Sequence, residues 1–493
     1  MRRMATLGLL LSLIAVPALP ARAAAPAAGA QAAAAATNVS PAAPPPADPR
    51  ALSYAPLPIA FPKPEKLFLP DGLMVYLFED HEVPLIDAAF YLRSGSIYDP
   101  ADKAGLSEVA TQLMRTGGTS TLSPDQVDQT LEAMPAQVSL SSDDDALTGS
   151  LSTLKTRFPE ALAIFAGMLR APRFDAARLE LEKARMVEDI RRRWDEPSLV
   201  AHLEFRRLVY GRANPWARLP TAESIQKIDR PDLIAFQERY LRPNNMILGV
   251  AGDFDPAAMK KLLRDTFAGW ANAKVNLPQV PKIQDAVPVG VHLIDRPLPQ
   301  STIALGHLGA SRFDPDRFPL TVLNYVLGEG GFDSRLVREV RSTRGLAYSV
   351  GGGVGLDSDR GLFQITCRTK SGSTVESIQV IRDILKQLRE AGPTEDEVRQ
   401  AKEARINSFV FSVDGTVPFM HAYLYYDYYN YPPDYLSTYR DLLSKVTRDQ
   451  VALAARKHLD PDRLVVLVVG SAKGFDRPLS NLGLGDTKTV PLD

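Results

Sequence analysis

An internal repeat constrains the fold of this 493-residue chain more than any other feature of its sequence. An alternating apolar segment at 86–92 leads to Tyr98-Asp99-Pro100, and a similar segment at 302–308 leads to Phe313-Asp314-Pro315, 215 residues later. Further along, residues 228–253 match residues 446–471 at an offset of 218 residues. Two matches at nearly the same offset indicate a duplicated domain.

Each half shows the pattern of an α+β domain, which we expect to be a mostly antiparallel sheet with helices on one side. The first domain is predicted at 59–272 and the second at 290–475, with a tail at 476–493. The proline-rich segment 273–289 is predicted to be the interdomain linker.

The N-terminus has the pattern of a secretory signal peptide at 1–23. Two arginines precede an apolar stretch at 7–16, and Ala21-Arg22-Ala23 offers a small–x–small cleavage site. Because the apolar stretch is too short to span a bilayer, no transmembrane segment is expected after cleavage. Residues 24–58, rich in Ala and Pro, cannot bury enough apolar surface to fold and are predicted to form a flexible tether. We therefore expect an exported protein, with the periplasm as its compartment.

Composition argues against some classes of function. With 57 basic and 58 acidic residues, the chain has no charge excess that would favour nucleic acid. Its one cysteine, Cys367, cannot form an internal disulfide, and its alternation with Phe363 and Ile365 predicts a buried strand thiol. No two of the six histidines are three or four residues apart, so no metal site is predicted in this chain.

Residues 331–350 contain the strongest candidate for a chemical site. Arg341 at a predicted helix end and Tyr348 on the strand that follows are seven residues apart, and a guanidinium and a phenol held together can donate hydrogen bonds to one carbonyl oxygen. The same residues also have a simpler interpretation. Arg338, Arg341 and Arg344 recur at helical spacing as solvated charges, and Tyr348 packs on its strand.

Several stretches resemble the pitrilysin/insulinase family of inverted-zincin peptidases, in the short two-domain branch that includes the mitochondrial processing peptidase. Among these stretches are YLRPNNMILGVAGD, QSTIALGHLGASRFDPDRF and REVRSTRGLAYSV, and the resemblance covers about 60–475. Active members of this family carry H-x-x-E-H on a helix that corresponds to 102–116 here. Two His at i and i+4 hold zinc, and the Glu between them polarises a water molecule.

Aligned with that motif, the chain lacks both histidines and the glutamate. Glu108 stands at the first His, Thr111 at the Glu and Gln112 at the second His. The third ligand of the family falls at Asp189 or, with a one-residue shift, at Glu188. Because carboxylates without an imidazole suit zinc poorly, the resemblance implies a chain that holds no zinc and is inactive alone.

The resemblance also implies a role for the second half. In the family, an Arg and a Tyr of the C-terminal domain bind the substrate carbonyl beside the metal, and these match Arg341 and Tyr348. We therefore expect a non-catalytic subunit of a heterodimeric zinc endopeptidase, which completes the active site of a zinc-binding H-x-x-E-H partner that acts on unfolded peptides. The alternative is a catalytically dead homologue that forms a structural or peptide-binding homodimer. An enzyme with another metal geometry is a third possibility.

Three further features have two interpretations each. The tyrosine-rich segment 423–431 either forms a partner-binding surface or packs a helix end on the sheet. The aspartates at 143–145 either bias binding toward basic peptides or guard an exposed strand edge. The glycine-rich segment 328–331 either permits close approach of a peptide or ends a helix.

Overall fold

The computed structural model describes residues 61–284 and 288–492. The predicted signal peptide and tether lie outside the described residues. Within these two ranges, no helix is long and apolar enough to cross a membrane. The chain folds around two six-stranded sheets, one from each half, which confirms the predicted α+β class.

The first sheet is built from six strands of the first half. They are β1 (Glu65–Phe68), β2 (Met74–Glu79), β3 (Leu85–Leu92), β4 (Gln137–Ser142), β5 (Leu147–Leu154) and β6 (Met246–Gly252). Their order is β1-β2-β6-β3-β5-β4, and the neighbours are antiparallel except for β2 and β6. The turn between β1 and β2 contains Gly72 at φ 88°, a left-handed conformation that glycine adopts without strain.

The second half repeats this arrangement. Its strands are β7 (Gly290–Asp295), β8 (Gln300–Leu308), β9 (Ala310–Ser311), β10 (Ala347–Val354), β11 (Leu356–Asp357), β12 (Leu362–Lys370), β13 (Val465–Gly470) and β14 (Thr487–Thr489). The second sheet has the order β10-β12-β8-β13-β7-β14, while β9 and β11 pair separately. Taken from β10 to β7, it matches β4-β5-β3-β6-β2 of the first sheet in order and direction, and both contain one parallel pair at the same place. The topology therefore supports a duplication.

Helices surround both sheets. The first half contributes α1 (Leu106–Thr116), α2 (Pro124–Ala133), α3 (Phe158–Arg170), α4 (Ala176–Arg192), α5 (Pro197–Tyr210), α6 (Ala222–Gln226), α7 (Arg230–Tyr240) and α8 (Pro256–Phe267). The second contributes α9 (Arg317–Asn324), α10 (Thr374–Ala391), α11 (Glu395–Ser412), α12 (Thr416–Tyr428), α13 (Tyr435–Ser444) and α14 (Arg448–His458). Two π-helical turns, Tyr325–Glu329 and Val337–Thr343, lie between α9 and β10.

The expectation that helices lie on one side of each sheet is wrong. Helix α5 of the first half packs on β8 and β13 of the second sheet, and α12 of the second half packs on β3 and β6 of the first. Phe205 of α5 and Met420 of α12 are fully buried there. The reason is visible in β13, whose six residues are all buried, since a strand that is apolar on both faces needs cover on both. The halves thus share two of their cores.

Candidate functional site

Helix α1 contains the positions that align with the family's zinc motif. A buried aspartate that precedes the helix, Asp99, binds its first turn. The Asp99 carboxylate accepts hydrogen bonds from the backbone N–H groups of Gly105 and Ser107, both at 3.0 Å, and from the Ser107 hydroxyl at 3.2 Å. Burial raises the pKa of Asp99 to about 7, although these hydrogen bonds oppose the rise. Its repeat partner Asp314 accepts from the N–H of Asp316 at 2.9 Å, just before α9. The repeated Asp-Pro therefore marks two helix entries.

The three motif positions on α1 do not form a zinc site. Thr111 is buried, and its hydroxyl donates to the carbonyl oxygen of Ser107 at 2.7 Å, so it is engaged within the helix. Glu108 is exposed to solvent at the surface of α1. The protein around its carboxyl group nevertheless displaces part of the water, and this desolvation raises the pKa of Glu108, an effect that Arg185 partly offsets. Gln112 is half-buried on the same helical face as Glu108. A carboxylate, a hydroxyl and an amide do not match the donors of a protein zinc site.

The carboxylates on α4 already have cationic partners. Arg185 donates to Asp189 at 2.8 Å and to both oxygens of Glu182 at 2.5 and 3.0 Å. Glu188, the alternative third-ligand position, accepts from Arg192 at 2.6 Å. A guanidinium therefore compensates the negative charge that a metal would compensate in a zinc-binding relative. The residues at these positions do not fit zinc.

One other group of side chains has the composition of a metal site. Asp314, Asp316 and His458 bring their ligand atoms within 4.8 Å of one another. However, the Lys457 ammonium is 2.7 Å from Asp316 Oδ2 and 3.6 Å from Asp314 Oδ1. Burial alone would raise the pKa of Asp316, but hydrogen bonds from Lys457 and His458 lower it below its usual range. The cluster is an ion-pair network between α14 and the start of α9.

Arg341 and Tyr348 lie at the surface, where the second π-helical turn ends and β10 begins. Arg341 belongs to the second π-helical turn and Tyr348 is the bulged residue of β10, with 73% of its surface exposed. The hydrogen bond from Leu346 N–H to the carbonyl oxygen of Val340 at 2.9 Å holds the strand start beside the helical turn. Within the described ranges, neither side chain makes a hydrogen bond, to the other or elsewhere.

Aromatic contacts orient these two side chains. The Arg341 guanidinium lies over the ring of Phe332, 5.4 Å from its centre, and the Arg368 guanidinium lies 6.0 Å from the centre of the Tyr348 ring. A cation–π contact does not occupy the N–H groups of a guanidinium as hydrogen-bond donors, so Arg341 can still donate to a ligand. Because Tyr348 is exposed, its interpretation as a packed strand aromatic is wrong.

The remaining sequence features have structural roles. Gly328 approaches the backbone of Gly352 on β10 so closely that a Cβ would lie 2.4 Å from the Gly352 oxygen. The tyrosines of α12 pack on the first sheet, as in the simpler interpretation. Neither interpretation of 143–145 describes its contacts: Asp144 pairs with Arg206 on α5, and Asp145 accepts from the Tyr429 hydroxyl at 2.8 Å. Asp145 therefore joins the two halves, whereas the Asp144–Arg206 pair lies within the first half.

Sequence reasoning missed two features near the site positions. Arg185 lies three residues after Glu182 and four before Asp189, a spacing that allows ion pairs on one helix, but on so charged a helix many such pairs are possible. Arg368 was not considered because its closeness to Tyr348 depends on the pairing of β10 with β12. The prediction for Cys367 is confirmed, since it is buried and burial raises its pKa to about 12.

Comparisons with known proteins agree with this fold. The family description "Insulinase (Peptidase family M16)" matches residues 75–212, and "Peptidase M16 inactive domain" matches residues 227–405. Together they cover more than half of the chain. A crystal structure of a peptidase M16 inactive domain from Pseudomonas fluorescens superposes with a TM-score of 0.74 at 26% identity, and covers 85% of this chain and 100% of that one.

Two curated relatives carry different descriptions. An uncharacterized zinc protease of Streptomyces coelicolor is 28% identical over 275 residues, which span 54% of this chain and 60% of that protein. A non-peptidase homolog of Helicobacter pylori is 23% identical over 399 residues, 80% of this chain and 91% of that protein. With two duplicated sheets and the motif helix in place, the molecule is peptidase-like. The chain belongs to the insulinase, or M16, peptidase family, with a degenerate zinc motif.

Proposed function

We propose that this chain is the non-catalytic subunit of a heterodimeric zinc endopeptidase, in which Arg341 and Tyr348 complete the active site of an H-x-x-E-H partner. One contrast supports the proposal most. Arg341 and Tyr348 are exposed and have no intramolecular hydrogen bond in the described residues, whereas Asp189 at the third-ligand position is held by Arg185. The resemblance gives the pair a role, and the structure leaves both donors free to perform it.

The contribution of this chain would be electrostatic. A substrate carbonyl oxygen gains negative charge as it is attacked, and the Arg341 guanidinium and the Tyr348 hydroxyl are donors suited to that oxygen. The partner's zinc would supply the activated water. We further propose that the substrates are unfolded peptides and that the complex works outside the cytoplasm, in the periplasm.

The test is turnover by the reconstituted pair of chains. Tyr348→Phe removes one hydroxyl and should lower turnover by about a hundredfold or more, the usual cost of losing one oxyanion donor. Arg399→Ala is the matched control, because Arg399 is an exposed arginine on α11 that pairs within its own helix. Assembly, followed by size-exclusion chromatography, should be unchanged in both variants. Unchanged turnover in Tyr348→Phe and in Arg341→Ala would remove the catalytic role.

The relative described as a non-peptidase homolog favours a second candidate, a catalytically dead protein. We propose that such a protein would act as a structural or peptide-binding homodimer. Sedimentation equilibrium separates the two. A stable homodimer that gains no activity and no partner when mixed with an H-x-x-E-H chain would support the second candidate.

A further inference from the structure

One end of the second sheet carries exposed positive charge. Along β12, Phe363, Ile365 and Cys367 face the core, whereas Arg368 and Lys370 are exposed on the opposite face. Helix α5 packs on that opposite face, where Leu362 at the start of the strand joins its apolar cluster. Arg368 and Lys370 lie toward the other end of the strand, beyond this cover.

Arg368 is next to the proposed site, and Lys370 lies two residues further along the same face of β12. Arg368 is the direct ladder partner of Ser349, and its guanidinium lies beside the Tyr348 ring. Arg341 and Arg344 are exposed at the end of the π-helical turn that is hydrogen-bonded to the start of β10. We call Arg341, Arg368 and Lys370 the basic face. Arg344 is not part of it, because it lines a cleft together with Glu339 and Asp383.

The basic face forms no ion pair in the part of the chain that the structure describes. Within 61–284 and 288–492, no carboxylate lies at ion-pair distance from any of its three cationic groups. Nearby arginines differ: Arg338, on the same helical turn, pairs with Glu339 and Glu397. In a chain with 57 basic and 58 acidic residues, a group of three cations without an ion pair is a local excess of positive charge.

The spacing of the basic face suits an extended chain. Arg368 and Lys370 are two residues apart on one face of a strand, which places their Cα atoms about 6.5 Å apart. Alternate side chains of an extended peptide have the same separation. Carboxylates at positions i and i+2 of such a peptide can therefore each meet one cation.

We propose that the peptides bound beside Arg341 and Tyr348 carry acidic side chains at alternate positions, Asp/Glu-x-Asp/Glu, and that Arg368 and Lys370 select them. This inference rests on the proposed function, because it takes the Arg341–Tyr348 surface to be where the peptide backbone lies. Arg368 and Lys370 are specificity-determining residues in this account, and they are distinct from the two carbonyl donors.

Binding to the full chain without any partner tests the selection directly. The probes are two fluorescein-labelled extended peptides of one sequence, with Glu at alternate central positions in one and Gln in the other. The Glu peptide should bind more tightly, and Arg368→Gln with Lys370→Gln should weaken it about fivefold, since each exposed ion pair contributes modestly. Raising the salt concentration should erase the difference. The control is Arg399→Gln with Lys386→Gln, which removes exposed cations from α11 and α10.

Equal affinity for the two peptides, or an unchanged preference in the double variant, would overturn the inference. Each single variant, Arg368→Gln and Lys370→Gln, is measured too, and thermal unfolding confirms that all of them are folded. Failure of the proposed function is a separate result. In that case Tyr348→Phe and Arg341→Ala leave turnover of the complex unchanged, whatever peptide the isolated chain prefers.

Discussion

The polar side chains around helix α1 and those of the segment that leads into β10 differ in their hydrogen bonding and their exposure. Around α1, Thr111 bonds to the backbone of its own helix, and Asp189 on the neighbouring α4 is bound by Arg185. At the start of β10, Arg341 and Tyr348 extend into solvent with aromatic contacts but no hydrogen bonds within the described ranges. The comparison shows that Thr111 and Asp189 are engaged in local contacts, whereas Arg341 and Tyr348 remain free to donate hydrogen bonds to a ligand.

The largest expected effect tests whether these two regions, one in each half of the chain, unfold as one cooperative unit. Phe205→Ala on α5 and Met420→Ala on α12 each open a cavity where a helix of one half covers the sheet of the other. We expect each to lower the free energy of unfolding by roughly 2–5 kcal/mol, measured in urea, with a single transition. Leu453→Ala, at a position 61% exposed on α14, is the control and should change little. Two separate transitions, one of them unaffected, would show that the halves fold independently.

The next prediction sets the two regions against each other in one assay. In the reconstituted complex, Arg341→Ala should reduce turnover by about a hundredfold or more, because it removes a donor to the developing oxyanion. Glu108→Gln should leave turnover unchanged, since α1 performs no chemistry in this account. If Glu108→Gln reduced turnover as strongly as Arg341→Ala, the contrast between the regions would be lost.

A smaller effect is expected at Asp99, which binds the first turn of α1. Asp99→Ala removes three hydrogen bonds at the start of α1 and should cost roughly 1–3 kcal/mol of stability. The pH dependence has a definite sign. Asp99 has a raised pKa of about 7 in the folded chain, so the folded state holds a proton that the unfolded state releases near pH 4. Wild-type stability, compared with Asp99→Asn, should therefore fall as pH rises from about 4 to about 7. Parallel stability curves for the two proteins would contradict the assignment.

The smallest expected effect is at Arg185. Its side chain is 46% exposed, so the ion pairs with Glu182 and Asp189 are screened by water. Arg185→Ala should cost about 1 kcal/mol or less, and the cost should shrink at high salt. Thermal unfolding at two salt concentrations measures both. A loss of several kcal/mol that salt does not change would mean that Arg185 is a structural core residue.

Much of the fold could be predicted from the sequence, because the internal repeat indicates two equivalent sheets. What sequence reasoning missed depends on contacts between distant segments. Helix α5 was not predicted, because a proline such as Pro197 can follow the end of one helix or begin the next, and here it is the first residue of α5. The partners of Asp144 and Asp145, Arg206 and Tyr429, are far away in the chain.

The candidate site, too, could be predicted from the sequence only in part. The absence of imidazole at Glu108 and Gln112 could be read directly from the motif. The exposure of Tyr348 and the neighbouring Arg368 could not, because both depend on a bulge and on the pairing of β10 with β12. The start of α14, by contrast, has a signal in the sequence, because Thr447 and Gln450 form the Thr-x-x-Gln pattern of a capping box.

The most direct test of the central claim is peptide hydrolysis and zinc content, measured for this chain alone and after mixing with an H-x-x-E-H partner. The account predicts no zinc and no hydrolysis in the isolated chain, and one zinc per pair with hydrolysis that requires Arg341 after mixing. Stoichiometric zinc and peptide cleavage by the isolated chain would contradict it.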